Sequence, residues 1–451
     1  MPLLLILISF VPLWIGNEST KVFAHALIFI QAILAFMLIC RTRDVFCLIS
    51  PVSLIFFYTS LSLGIGAWGF RNEYVLVERD MECYKSWSSM NVSLSVLMLS
   101  LSFMVLTERY VRMRKPKPPQ STEVKPKRSL MLSGIVLTPF FVVPLDLSLM
   151  GGDGDLSIVP KTVFAIFFLI AVQNIVSGLI RWSMYLGLIT AFATFSIQDK
   201  REAIFLIFPI CFLEFAFKKT KLSFALLIWF LILAAFLLLL ILLMSVARGY
   251  GGFGGFSTIS EAAPFILKYV ESDIFIGGLF ANIEVNYFFF HALNAIELVF
   301  KDTANLNFGL TIIKPLFIVL PRYFFEWKPD SIIGLYTTAF DPAIRAVGGS
   351  WPISILSEFF WNFYFFAPFV TLLFSVFLVE FHMKMVRVIR SKGDYTLAFF
   401  LFAHMHLVVL ARGSGLDQYA VCVLLALIFI LGCWFISFFS KLIYQKKYLL
   451  R

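Results

Sequence analysis

From residue 222 to 246 the chain reads LSFALLIWFLILAAFLLLLILLMSV, twenty-five residues without one charge. At 1.5 Å per helical residue, about 20 such residues cross the hydrocarbon of a bilayer. No water-exposed segment keeps so long an apolar run. Lipid offers no hydrogen bonds, so backbone crossing it must form helices or a closed barrel. Barrel strands alternate apolar and polar residues, whereas these runs are continuous. Composition agrees: the chain is 60% hydrophobic and 14% charged, with 54 Phe, against about 25% charged in a soluble domain. The expectation is an all-α polytopic integral membrane protein.

Twelve spans are expected, at roughly 2–15, 22–40, 46–69, 89–107, 129–145, 161–180, 182–197, 203–217, 222–246, 352–381, 395–411 and 418–440. The first resembles a signal-peptide core but lacks a basic start and a small-residue cleavage site, so it is read as a retained helix. Orientation follows Lys and Arg. The connections 40–44, 217–222 and 383–394, the tail 441–451 and the stretch 108–128 fall on one side; the last has eight Lys or Arg against two Glu. That side is read as cytoplasmic. Residues 248–350 face outward and are balanced, with seven Lys or Arg against nine Asp or Glu. The division is therefore an N-terminal bundle over 1–247, about nine helices with the cytoplasmic basic loop 108–128. A large outer loop over 248–351 and a C-terminal bundle of about three helices over 352–451 follow. Segments 258–270 and 280–300 have helical spacing with apolar faces and are expected to lie along the membrane surface or to cap the helices. Segment 308–320 is too short to cross. The six cysteines have no CxxC or Cys/His spacing, so no metal site or disulfide framework is implied.

Charge near a bilayer is costly, so the outer loop's cations carry the functional argument. Arg248 ends the long apolar run and precedes five glycines within seven residues. It is either an interfacial anchor or a guanidinium with flexible amides that suits phosphate. Arg322 and Lys328 lie in LPRYFFEWKPD, Arg345 in DPAIRAVGGSWP, and Arg412 in ARGSGLDQ. Four arginines from separate segments exceed what anchoring needs. Glu358 sits in SILSEFFWNF, in the first turns of an apolar helix read as running to about 381. It is either a salt-bridge partner for an arginine or a general base near the bilayer surface. Asn362 follows at i+4 on the same face and could hold a substrate hydroxyl. Asp199, Lys200, Arg201 and Glu202 form a solvated turn or part of the same basin. His404 and His406, two apart, face different ways on a helix, and His291 is a spare acid–base candidate.

The order of these motifs resembles the O-antigen polymerases, bacterial inner-membrane proteins that join oligosaccharide units carried on undecaprenyl pyrophosphate. PRYFFEWKP (321–329) is similar to their Pro-Arg … Lys-Pro signature. GGSWPISILSEFFWNFYFFAP (348–368) resembles their Gly-x-Ser-x-Pro … Glu-x-x-x-Asn-Phe segment, with Ser357-Glu358 where that group has Gly-Glu. SIQDKRE (196–202) is similar to a short Ser … Lys-Arg stretch. The resemblance implies a GT-C-like helical glycosyltransferase fold with one large periplasmic loop and an active face on the periplasmic side of the inner membrane. It implies transfer of a growing glycan from lipid pyrophosphate to the terminal sugar of another lipid-linked unit, with no cofactor and no metal. Lipid-linked oligosaccharide, membrane lipid and a chain-length regulator are the implied partners; no nucleic acid is expected. On this reading Arg248, Arg322 and Arg345 bind pyrophosphate with Lys328 and Arg412 in support, Asn362 binds sugar, and Glu358 is the base. An O-antigen ligase, which would rest on an outer histidine such as His291, and a flippase or transporter without chemistry are the alternatives.

Overall fold

The computed structural model describes residues 1–41, 47, 50–113, 158–195, 205–217, 224–247, 249, 256, 259–317, 329–392 and 394–449. Every element among them is helical, apart from one isolated bridge between Ile353 and Ser414. Six of the described helices are long and apolar enough to cross a membrane: Asn17–Cys40, Pro51–Arg71, Met90–Arg112, Ile355–Arg387, Asp394–Arg412 and Gly415–Phe439. The chain is thus a helical protein of membrane-spanning character. The expected span 129–145 lies outside the described residues.

By packing, the chain forms two compact units, each discontinuous in sequence. The first comprises Met1–Pro116, Ala234–His382 and Leu407–Asp417. Its early helices are α1 (Pro2–Ile15), α2 (Asn17–Cys40), α3 (Pro51–Arg71), α4 (Glu78–Ser86) and α5 (Met90–Met113). Helix α3 starts cleanly because Ser50 caps it, its hydroxyl accepting from the Ser53 N–H at 3.1 Å, and Pro51 needs no N–H at that position. Gln31 of α2 is buried, and its amide donates to Met98 O and to the Ser102 hydroxyl of α5. A buried amide left unbonded would be costly, so these bonds fix how α2 meets α5.

The centre of this unit is a helix from much later in the chain. Labelled in order, α6 (Ile158–Ile175), α7 (Gly178–Phe195), α8 (Ile207–Cys211) and α9 (Phe224–Ala247) come first. Then follow α10 (Ile259–Ala262), α11 (Ile266–Val270), α12 (Phe275–Asn282) and α13 (Val285–Phe300). A Cβ on Gly66 would stand 2.4 Å from both Val285 O and Phe289 Cβ; one on Gly69 would stand 2.4 Å from Asn286 Oδ1. Small residues three apart thus let α3 and α13 touch backbone to backbone, as membrane helices do. Phe70 stacks on Phe290 with ring centroids 5.9 Å apart.

The expectation of one surface-lying helix over 280–300 is corrected on two counts. The helix breaks at Glu284, which has φ 62°, and α13 is buried on nearly every side. Its polar residues are bonded inside: Asn286 to Tyr74 O, Asn294 to the Tyr336 hydroxyl, and Glu297 to the Ser89 N–H. A helix wet on one face and a helix fed by polar partners on that face have the same spacing, which is why the pattern misled.

The later helices are α14 (Leu310–Ile313), followed by a 3-10 turn over Lys314–Phe317, then α15 (Ile332–Phe340), α16 (Pro342–Ala346) and α17 (Ile355–Phe363). After them come α18 (Ala367–Lys392), α19 (Asp394–Arg412) and α20 (Gly415–Leu449). The span expected over 352–381 is present as the continuous helical stretch Ile355–Arg387, in which a 3-10 turn over Tyr364–Phe366 separates α17 from α18. Between them Tyr364 holds φ 52° and ψ −130°, a conformation that costs a side-chain-bearing residue about 1–3 kcal/mol. Tyr364 packs on Phe300 and Phe360, and this aromatic contact holds the break in place.

The second unit comprises Lys117–Leu233, Met383–His406 and Gln418–Arg451. Here the break expected near residue 181 falls instead between Ile175 and Gly178, so Arg181 lies within α7. Its guanidinium Nη2 donates to Glu214 Oε2 at 2.8 Å, and the Tyr185 hydroxyl donates to Glu214 Oε1 at 3.0 Å. Glu214 belongs to a π-helical turn, Phe212–Phe217, that continues α8. His404 and His406 are buried, each with Nδ1 against the carbonyl four residues back.

Candidate functional site

Ser354 caps α17, accepting from the Ser357 N–H at 3.1 Å, and the Ser357 hydroxyl donates to Ala292 O of α13 at 2.7 Å. These bonds seat the helix so that Glu358, in its first turn, faces inward with no exposed surface. A carboxylate near a helix N-terminus gains from the unpaired N–H groups there. Among the described residues, the groups on its oxygens are hydrogen-bond donors. Thr311 Oγ1 of α14 donates to Oε1 at 2.9 Å, and the Leu416 N–H donates to Oε2 at 3.2 Å. Lys314 gives its ammonium to Asp417. No arginine among the described residues pairs with Glu358.

Asn362 is one turn on, but its amide is used within the protein. Its Oδ1 accepts from the Gly309 N–H at 3.0 Å, and Nδ2 donates to Thr311 Oγ1 and to Glu358 O, each at 2.8 Å. In this structure its amide thus serves to tie α17 to the turn before α14. Asn307 N–H to Trp361 O at 2.9 Å is a further tie between this turn and α17. The Ile353 N–H bonds to Gly413 O at 3.2 Å, which brings residues 413–417 alongside.

Of the other residues singled out, Arg345 turns back over α15: a Cβ on Gly334 would lie 3.1 Å from its Nη2. Arg412 closes its guanidinium fork on both oxygens of Glu284, at the start of α13. Such a two-point pair is the geometry that arginine also offers to phosphate. Arg248, Arg322 and Lys328 lie outside the described residues, as do residues 199–202. The structure thus brings Glu358 and Asn362 together and gives Arg345 and Arg412 separate surroundings.

Thr311, Lys314 and Asp417 were missed. Lys314 and Asp417 each stand in an apolar stretch, LTIIKPLFIVL and SGLDQYAV, and charge in such a context was an available signal. A threonine hydroxyl carries no comparable mark.

A second polar cluster in the same unit joins α4 to the α15–α16 corner. Arg79 Nη1 donates to Asp341 Oδ2 at 2.7 Å and its guanidinium lies 4.5 Å from the Phe340 ring centre. The Arg79 hydrogen bond holds the Asp341 carboxyl below its ordinary range. Burial instead pushes neighbouring Asp80 up to about 6, and Arg79, with Nε 3.9 Å away, offsets that only in part. His291 is buried, with Nδ1 2.7 Å from the Tyr336 hydroxyl and its ring stacked on Trp351.

No family model, curated protein or solved structure matches this chain.

Proposed function

We propose that this protein polymerises lipid-pyrophosphate-linked oligosaccharide repeat units, as an O-antigen polymerase does, on the periplasmic face of the bacterial inner membrane. The reading takes the twelve-span plan, the outward loop and a GT-C-like arrangement from the sequence motifs. Its supporting observation is Glu358, a fully buried carboxylate that hydrogen-bond donors hold and no cation among the described residues neutralises. A paired carboxylate is a poor base, and no cation among the described residues sits on the oxygens of this one.

In the reaction, the terminal sugar hydroxyl of one lipid-linked unit attacks the anomeric carbon of the growing glycan. The new C–O bond forms as the bond from that carbon to the pyrophosphate oxygen breaks. The hydroxyl proton passes to Glu358, and the lipid pyrophosphate departs with the electron pair. Arg248, Arg322 and Arg345 would stabilise the charge that develops there, with Lys328 and Arg412 in support and no metal required. The ligase alternative needs a histidine open to an acceptor, and burial of His291 weighs against it.

The test is complementation of a strain that lacks the protein. Glu358→Gln or Arg322→Ala should leave single repeat units on the acceptor core and no long chains. Normal chain length in both variants would overturn the proposal. Loss of even the single-unit band would favour a ligase.

A further inference from the structure

We infer that Thr311 is the positioning residue that holds Glu358 as a hydrogen-bond acceptor, an inference that rests on the reading of Glu358 as the base. The direction of each bond can be worked out from the donors that have no choice. The Gly309 N–H can only donate, so the side-chain oxygen of Asn362 faces it and the NH2 faces Thr311. That NH2 also can only donate, and it occupies a lone pair of Thr311 Oγ1. A hydroxyl has one proton, and its other side-chain partner among the described residues is Glu358 Oε1 at 2.9 Å. The Thr311 proton therefore points at the carboxylate. The Leu416 N–H does the same at Oε2.

With one donor on each oxygen, Glu358 is fixed in orientation, and each oxygen keeps a lone pair for a substrate proton. Thr311 is itself buried and bonds to Glu358, so it acts through that residue. The turn that carries it is secured independently. Asn307 N–H bonds to Trp361 O, and Lys314 pairs with Asp417. Sequence reading made Asn362 a sugar ligand; here it is the group that aims the threonine.

The experiment compares Thr311→Val, Thr311→Ser, Glu358→Gln and the unaltered protein, each purified full-length and given lipid-linked repeat units. Valine keeps the shape and removes the hydroxyl; serine keeps the hydroxyl and removes the methyl. Thr311→Val should lower kcat for elongation about tenfold to a hundredfold with KM within twofold, and Thr311→Ser should recover to within threefold of the unaltered protein. Activity that follows shape, normal in valine and lost in serine, would overturn the inference. A readout free of turnover accompanies this. The infrared band that vanishes in Glu358→Gln belongs to Glu358, and it should move in Thr311→Val and return in Thr311→Ser. An unmoved band overturns the inference whatever the rates. A moved band with normal elongation by Glu358→Gln overturns the base reading, and the positioning role with it, while locating the failure in the function and not in the contact.

Discussion

Glu214 and Glu358 are both fully buried carboxylates in apolar helices, one in each compact unit, and their surroundings differ in one respect. Glu214 has the Arg181 guanidinium and the Tyr185 hydroxyl directly on its oxygens. Glu358 has a threonine hydroxyl and a backbone N–H, while the nearby lysine is bound to Asp417. The first charge is neutralised at short range, so little is left for chemistry and much is committed to holding α7 against the turn after α8. The second is oriented with no cation on its oxygens among the described residues. Burial alone does not mark a reactive acid; the identity of what bonds to it does.

The largest expected effect separates the two by function. Glu358→Gln should lower elongation about 10²–10⁴-fold and cost only about 1 kcal/mol of stability, since one amide N–H would meet a donor. Elongation assays and thermal midpoints in detergent measure the two. Arg181→Ala should do the reverse, destabilising by about 3–5 kcal/mol because the buried Glu214 would lose the Arg181 cation that pairs with it. The double variant Arg181→Met, Glu214→Leu should recover most of that loss. If Arg181→Ala folds normally but abolishes elongation, the comparison is broken.

A smaller effect tests how the Glu358 unit is built. Gly66→Ala puts a methyl against Val285 O, backbone that cannot turn aside, and should destabilise by about 1–3 kcal/mol. Because α13 carries Ala292 and Ala295, which accept bonds from α17, elongation should fall in parallel with the thermal midpoint.

Asp80 supplies an intermediate case, a buried acid that shares Arg79 with Asp341. Its folded value of about 6 exceeds the ordinary 3.8, so between these the folded state holds the extra proton. Stability from this group is present below pH 4 and is lost as pH rises toward 6, by about 1–2 kcal/mol after allowance for partial solvation. Asp341, whose carboxyl is lowered, acts oppositely and loses its contribution only in stronger acid. Asp80→Asn should therefore gain stability over the unaltered protein at pH 7 and none at pH 4, as midpoints across that range would reveal.

How much of this was legible in the sequence depends on where each partner lies. Spans such as α2, α3 and α20 follow from run length, because hydrocarbon thickness is the dominant constraint. The breaks at Glu284 and Tyr364 were invisible, since neither is Gly or Pro and both positive-φ residues are held by distant contacts. Glu358 stood out as charge in an apolar helix. Its environment did not, because Thr311 and Leu416 are 47 and 58 residues away and nothing local announces them. Asn362 was noticed for its spacing, but its bonds to Gly309 and Thr311 were invisible for the same reason.

The backbone contact between Gly66 and Val285 also has a chronology. Those residues are 219 positions apart (285 − 66). At about 5–20 residues per second of synthesis, α3 waits roughly 10–45 s for the helix that fills its groove. During that interval a glycine-lined furrow stands vacant on the nascent chain, and whatever guards newborn membrane segments has its longest vigil there.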